Sequence, residues 1–447
     1  MKDIVVRGAR VVLPDGVRAA SIHVRGGRIL TVGTYGDTPA AVSRVDAGEL
    51  MVLPGLVDTH VHMNDPGRAD WEGADHATRA AAAGGVTTVI DMPLNSIPST
   101  VNAAALAAKR DALKGRCHVD VGCWGGVVPG NAGDLSALAR AGVLGFKCFL
   151  SPSGVDEFAH VTERDLREAL PEIARLGVPL LAHAELSEKL ADPRGSDPRS
   201  YRSWLASRPP AAETGAIDLL IALAGEYGAR VHIVHLATGD AVPTISDART
   251  RGLPVTVETC PHYLTFAAEE IADGATAFKC APPIRERQHR ERLWDALVSG
   301  DIDLVASDHS PSPAADKCLA DGDFLRAWGG IASLQLSLAA VWTGAAARRI
   351  PIERVVQWMA SRPATLAGLA KTKGTISPNA DADLVIWDPD VETVVDAAAL
   401  HHRHPVTPYA GMSLRGRVKT TMLRGQVVFD EGTVLPHPAG RMIGSAP

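Results

Sequence analysis

The chain has 447 residues, 46% of them hydrophobic and 21% charged, with a formal net charge of -6. That length suits one large domain or two ordinary ones, and the composition is that of a globular protein. So weak a charge, with no basic run, argues against nucleic acid as the main partner, and no stretch has the length and apolarity of a membrane span.

The first ten residues break their apolar run too early for a signal peptide. The six cysteines, Cys117, Cys123, Cys148, Cys260, Cys280 and Cys318, form no Cys-x-x-Cys pair. They make no disulfide framework, so reduced thiols in a soluble, cytosolic protein are expected. Residues 1–52 read as short strands at 3–7, 9–13, 21–25 and 28–32, with Gly26-Gly27 as a hairpin turn. The same texture returns at 383–387, 418–423 and 426–429, with Arg424-Gly425 between the last two. The expected organisation is a β-sandwich domain from 1–52 plus 372–447, enclosing a different middle, 53–371.

In that middle, strand-like runs at 56–62, 87–92, 119–124, 145–149, 179–183, 230–235, 255–260 and 303–308 alternate with helical stretches such as 75–83, 102–113 and 163–176. Eight strands, most followed by a helix, over roughly 300 residues have the rhythm of an eight-stranded β/α (TIM-type) barrel. A doubly wound sheet is the alternative, but no glycine-rich phosphate loop follows the first strand. The apolar stretch 331–347 is interrupted by Ser, Gln, Thr and Gly and fits a buried helix. Long connections rich in Pro, Gly, Asp and Ser, 184–213 and 309–330, fall on the catalytic face of such a barrel and are candidate lids.

Side chains alternate along a strand, so Asp58, His60 and His62 share one face. Lys147, His183, His235 and Asp308 end strands 4, 5, 6 and 8. Nitrogen and oxygen ligands gathered at the carboxyl ends of the strands, where barrel active sites lie, point to a metal-dependent site.

The series Asp58-Thr-His-Val-His62, Gly145-Phe-Lys147, two strand-end histidines and Ser307-Asp-His309 resembles the amidohydrolase superfamily, and within it the cyclic amidohydrolases: allantoinase, dihydroorotase and hydantoinase. The resemblance runs from Leu53 to the 374–388 stretch. It implies two divalent metal ions: His60, His62 and Asp308 would hold the first, His183 and His235 the second, and a carbamate on Lys147 would bridge them. Zinc suits these donors best, but cobalt, manganese and iron suit them too. Asp308 would also act as the catalytic general base and acid.

Among these families, 62–68 with Trp71-Glu-Gly73, 91–98, 146–158 and 327–331 look most like allantoinases, so hydrolysis of the hydantoin ring of allantoin is the expected activity. Dihydroorotases carry Arg two residues beyond the second His to meet a carboxylate; Asn64 stands there. Hydantoinases place Tyr five residues after the bridging Lys; Pro152 stands there. Expected substrate contacts are Asn64, Asn95, Ser153 as a substitute oxyanion donor, and the Cys280 segment. His262 reads as structural, and His401-His-Arg-His404 as a solvated loop. By the same resemblance the protein is a homo-oligomer, a tetramer being favoured. The rival readings are dihydroorotase, hydantoinase, or a catalytically silent scaffold relative, which would have lost metal ligands.

Overall fold

The computed structural model describes residues 3–38 and 43–444. Of the span assigned to the terminal β domain, positions 1–2, 39–42 and 445–447 lie outside the described residues. Both chain ends are rich in β-branched residues and form antiparallel strands. Ile4–Leu13 pairs with Gly16–Arg25, which pairs with Arg28–Gly33. Gly26 and Gly27 turn between the last two at φ 59° and 85°, a left-handed pair that suits glycine. At the other end Leu384–Val394 pairs with Ser413–Leu423, and that strand pairs with Gln426–Asp430.

Met51–Pro54 joins the two halves, parallel to Ile4–Leu13 on one side and antiparallel to Leu384–Val394 on the other. Among the described residues this layer is one nine-stranded sheet, eight strands along a single path and Ser43–Asp46 branching off it beside Ile4–Leu13. Val6, Ile22, Ile29, Ile386 and Met422 fill its apolar core. The sequence gives Met51–Pro54 no alternation, because the strand is buried on both faces. Directly after it, Gly55 passes into the barrel where a Cβ would meet Thr87 Oγ1 at 2.1 Å and Asp383 Cβ at 2.9 Å.

The barrel strands are β1 (Leu56–Val61), β2 (Val86–Asp91), β3 (Asp120–Cys123), β4 (Phe146–Phe149), β5 (Leu180–His183), β6 (Val231–Ile233), β7 (Val255–Thr259) and β8 (Leu304–Val305). Neighbours pair in parallel. The step from β3 to β4 runs through Gly125–Gly126 and the bond from Leu144 N–H to Cys123 O. β8 is shorter than its sequence suggests, because the chain turns at Asp308 with φ 46°. The ring closes just beyond: His62 N–H donates to His309 O at 2.8 Å and His309 N–H to His60 O at 3.3 Å. The fold is thus a β/α barrel with a β-sandwich built from both termini.

Helices begin and end where their caps allow. Asn102 accepts from Ala105 N–H and starts Ala103–Leu113. Thr162 and Asp165 make a reciprocal capping box at the start of Glu163–Leu176, which Gly177 ends at φ 69°. The 331–347 stretch contains the helix Ser337–Ala347; among the described residues no helix is long and apolar enough to cross a membrane.

The two long connections lie against each other. Phe324 N–H donates to Pro198 O at 2.7 Å, and the Tyr201 and Phe324 rings sit 5.3 Å apart. The His401–His404 tract is not the solvated loop expected. His402 is buried with its ring 4.9 Å from that of His309, Arg403 N–H donates to Glu72, and His404 reaches Asp70 O. The tract is far from the barrel in sequence, so nothing local announced that its imidazoles would pack on the β8 connection.

Candidate metal centre

Every residue of β1 is buried, so alternate side chains point into the barrel. Asp58 lies lowest. Its carboxylate accepts from Ser307 N–H at 3.1 Å and from His60 N–H at 3.1 Å, lacing β1 to β8 beneath the site. Burial pushes the Asp58 carboxyl up to about 6, against those hydrogen bonds. Above it, His60 Nε2 is 3.1 Å and His62 Nε2 3.6 Å from Asp308 Oδ1. One donor atom from each of the three falls within 4.8 Å of the others, a spacing that one metal ion can bridge.

Across the mouth, His183 Nδ1 and His235 Nε2 are 3.0 Å apart. The outward nitrogens of His60 and His183 are taken by buried carboxylates, whereas His235 Nδ1 has no partner among the described residues. His60 Nδ1 donates to Glu258 at 2.5 Å, and Glu258 also accepts from His232 Nε2 at 3.0 Å. His183 Nε2 donates to Glu185 at 2.7 Å. Each carboxylate fixes the tautomer that leaves the inner nitrogen with a free lone pair. Burial alone would raise the Asp308 carboxyl, but His60 and His62 outweigh it and hold it well below the usual carboxylate range. Glu258, buried between His60 and His232, is carried down to about 2 in the same way.

Two of the candidate ligand positions adopt left-handed backbone, His235 at φ 41° and Asp308 at φ 46°. For residues other than glycine this costs on the order of 1–3 kcal/mol, a strain that turns both side chains inward at the strand ends. Lys147, on β4, is fully buried, and its Nζ has no hydrogen-bond partner. Burial pulls its amine down to about 8. Histidine nitrogens facing one another, a carboxylate and an orphaned amine together fit a metal-binding group.

The site opens into a cavity of about 720 Å³, lined by His60, His62, His183, His235 and Asp308 at its floor. Of the four substrate contacts expected from sequence, Asn95 and Ser153 line this cavity and Asn64 and Cys280 do not. The Asn95 carboxamide lies 3.3 Å from His62 Nδ1. Ser153 Oγ is 2.6 Å from Phe158 O and 3.1 Å from Val155 O. Asn64, at φ 61°, turns its amide to Pro311 O. Cys280 Sγ contacts Pro282 O, while its neighbours Lys279 and Ala281 face the cavity. His262 is buried with neither ring nitrogen partnered, 4.2 Å from the Tyr263 ring. Glu185, Glu258 and Arg208 went unread in the sequence; the one local signal was the carboxylate two residues past the strand-end histidine in His183-Ala-Glu185.

The profile of the amidohydrolase family matches residues 51–428. The chain belongs to the amidohydrolase family. Members of this family are metal-dependent, and the cluster of His60, His62 and Asp308 stands where such chemistry needs it. Allantoinase of Streptomyces avermitilis is 50% identical over 447 residues, covering 100% of this chain and 99% of the relative. Allantoinase of Arabidopsis thaliana is 46% identical over 446 residues, covering 96% and 88%. Among solved structures, the L-hydantoinase (dihydropyrimidinase) of Arthrobacter aurescens superposes with a TM-score of 0.93 at 32% identity, covering 99% of this chain and 100% of that one. The dihydropyrimidinase of Brevibacillus agri gives 0.90 at 27%, covering 99% of each. This amidohydrolase is a hydrolase of cyclic amides.

Proposed function

We propose that the enzyme hydrolyses the hydantoin ring of allantoin to open-chain allantoate, a step of purine (ureide) catabolism. The convergence of His60, His62, His183, His235 and Asp308 on one cavity, together with the orphaned, buried Lys147 amine on β4, supports a dinuclear centre. The full-length allantoinase relatives support the substrate. His60, His62 and Asp308 would hold one ion and His183 and His235 the other, with Lys147 between them as its carbamate. Zinc is the metal we favour. When bound, the ions supply Lewis acidity and lower the pKa of water toward neutrality.

The protein's own groups carry the protons. Asp308 takes one from the attacking water and returns it to the ring nitrogen as the amide C–N bond breaks, leaving a carboxylate and a ureido group. Glu258 and Glu185 keep His60 and His183 in the tautomers this requires.

The cavity suits a neutral substrate. Dihydroorotate would bring a carboxylate that needs a cation, yet Asn64 is turned away to Pro311, Arg68 is paired with Glu157, the charge of Arg208 is balanced by Glu185, and Lys279 donates to the Ala327 and Leu325 carbonyls. A buried charge without its partner costs about 2–5 kcal/mol. Catalytic efficiency for allantoin is therefore expected to exceed that for dihydroorotate at least about a hundredfold. Initial rates on the two substrates decide it: comparable values, or dihydroorotate ahead, overturn the reading. Metal analysis separates an enzyme from a silent scaffold, which would bind none. The six free, buried cysteines suit a reducing compartment, so we place the enzyme in the cytosol. By the same family reading its working form is a homotetramer, which sedimentation would check.

A further inference from the structure

We propose that Arg208 reads the exocyclic ureido group of the substrate, a specificity role that rests on the allantoin reading above. Arg208 follows the helix Tyr201–Ser207 on the long connection after β5. One edge of its guanidinium is fully used: Nε donates to both Glu185 oxygens at 3.1 Å, and Nη2 to Oε2 at 2.6 Å. The other nitrogen, Nη1, has no hydrogen-bond partner among the described residues, and the side chain is only 13% exposed, in the cavity wall. The guanidinium lies 5.2 Å from the Trp204 ring, another cavity residue, which adds to its fixed position.

The other cations of the wall are spent or outside. Arg68 is committed to Glu157 and Asn95 O. Lys279 donates to Ala327 O at 2.5 Å and Leu325 O at 3.3 Å. Arg326 is largely in solvent, its side chain 68% exposed. Arg208 therefore offers the one buried guanidinium edge in this wall, among the described residues, that is still free to donate.

Chemistry selects what that edge takes. Scission of the ring amide sets the hydantoin ring against the histidines and Asp308, so the ureido arm must extend along a wall. A urea carbonyl is a strong neutral acceptor, and Nη1 carries two N–H donors. The charge of Arg208 is already balanced by Glu185. A carboxylate arm would add an uncompensated anion there, whereas a neutral ureido group completes the guanidinium's hydrogen bonds without one.

The test compares allantoin with hydantoin, which lacks the arm, measured as a substrate or as a competitive inhibitor of allantoin hydrolysis. Arg208→Lys keeps a cation for Glu185 but loses the second edge. It should lower kcat/KM for allantoin by roughly ten- to hundredfold relative to its effect on hydantoin. Glu258→Gln, which disturbs His60 but does not touch Arg208, should weaken both ligands together and leave the ratio within about twofold of the parent. An Arg208→Lys enzyme whose allantoin-to-hydantoin ratio stays within threefold of the parent overturns the assignment. Arg208→Gln gives the same comparison should the lysine variant not fold. A parent that does not hydrolyse allantoin defeats the functional reading itself, while an active parent with an unmoved ratio defeats only the role of Arg208.

Discussion

In the proposed centre, Lys147 is the residue on which most of the chemistry would turn, because a buried amine with no partner is costly unless something else completes it. Its amine, pulled down by burial to about 8, is increasingly neutral as pH rises, and only the neutral form attacks carbon dioxide to give a carbamate and a proton. Reconstitution of metal-stripped enzyme with metal and bicarbonate should therefore be faster at about pH 8.5 than at about pH 6.5. Lys147→Ala should hold little metal under either condition. A variant with parental metal content and more than a tenth of the activity would remove Lys147 from the centre. Asp308 poses the complementary case. Asp308→Asn keeps an oxygen donor but not a base, so turnover should fall by about 10² to 10⁴ while metal content falls far less. An Asn variant within threefold of the parental rate would show that the proton moves by another route.

At the scale of elements, the ends of strands matter more than their middles. β1 delivers His60 by alternation, while His235 and Asp308 are delivered by left-handed turns just past their strands. The strand-end histidines, Lys147 and Asp308 were legible in sequence because runs of Val, Ile and Leu announce where each strand stops. Glu258 and Glu185 were not, since a carboxylate near a strand looks the same whether it meets solvent or a histidine from another strand. Asn64 illustrates the reverse difficulty: its place after His62 was plain, but backbone at φ 61° points its amide elsewhere. The helices test separately from the chemistry. Thr162→Ala removes the capping box of Glu163–Leu176, on the barrel exterior, and should cost about 1 kcal/mol with kcat unchanged. Denaturant melts alongside initial rates check it; a loss of activity at full folding would mean that this helix reaches the site.

For the molecule as a whole, the decisive contact lies at the opposite end of the barrel from the candidate metal ligands. Lys373 is buried among Asp120 at the start of β3, Asp381 and Asp383, at 2.6 to 3.0 Å, and Arg424 of the terminal hairpin also pairs with Asp120. Burial would lower the Lys373 amine, but the three carboxylates outweigh it and raise it well above the usual lysine value, so it is charged at any working pH. The group clamps the terminal layer to the barrel, and we propose that the chain divides functionally there, with 53–371 carrying the chemistry. Lys373→Met leaves the acids uncompensated and should cost roughly 3–5 kcal/mol. The deficit should narrow as pH falls and protons neutralise the carboxylates. Melting curves at neutral and mildly acid pH give the sign; a deficit that widens on acidification would refute the clamp.

The seating of Met51–Pro54 between strands from the two chain ends bears on biosynthesis. During translation the first strands emerge, and then the entire barrel, before Leu384–Val394 exists to cover the free side of Met51–Pro54. For that interval the nascent chain displays an apolar edge with unpaired amides, a template for intermolecular pairing. Newly made chains truncated before residue 384 should accordingly depend on holdase chaperones for solubility, a burden that falls on the cell rather than on the finished enzyme.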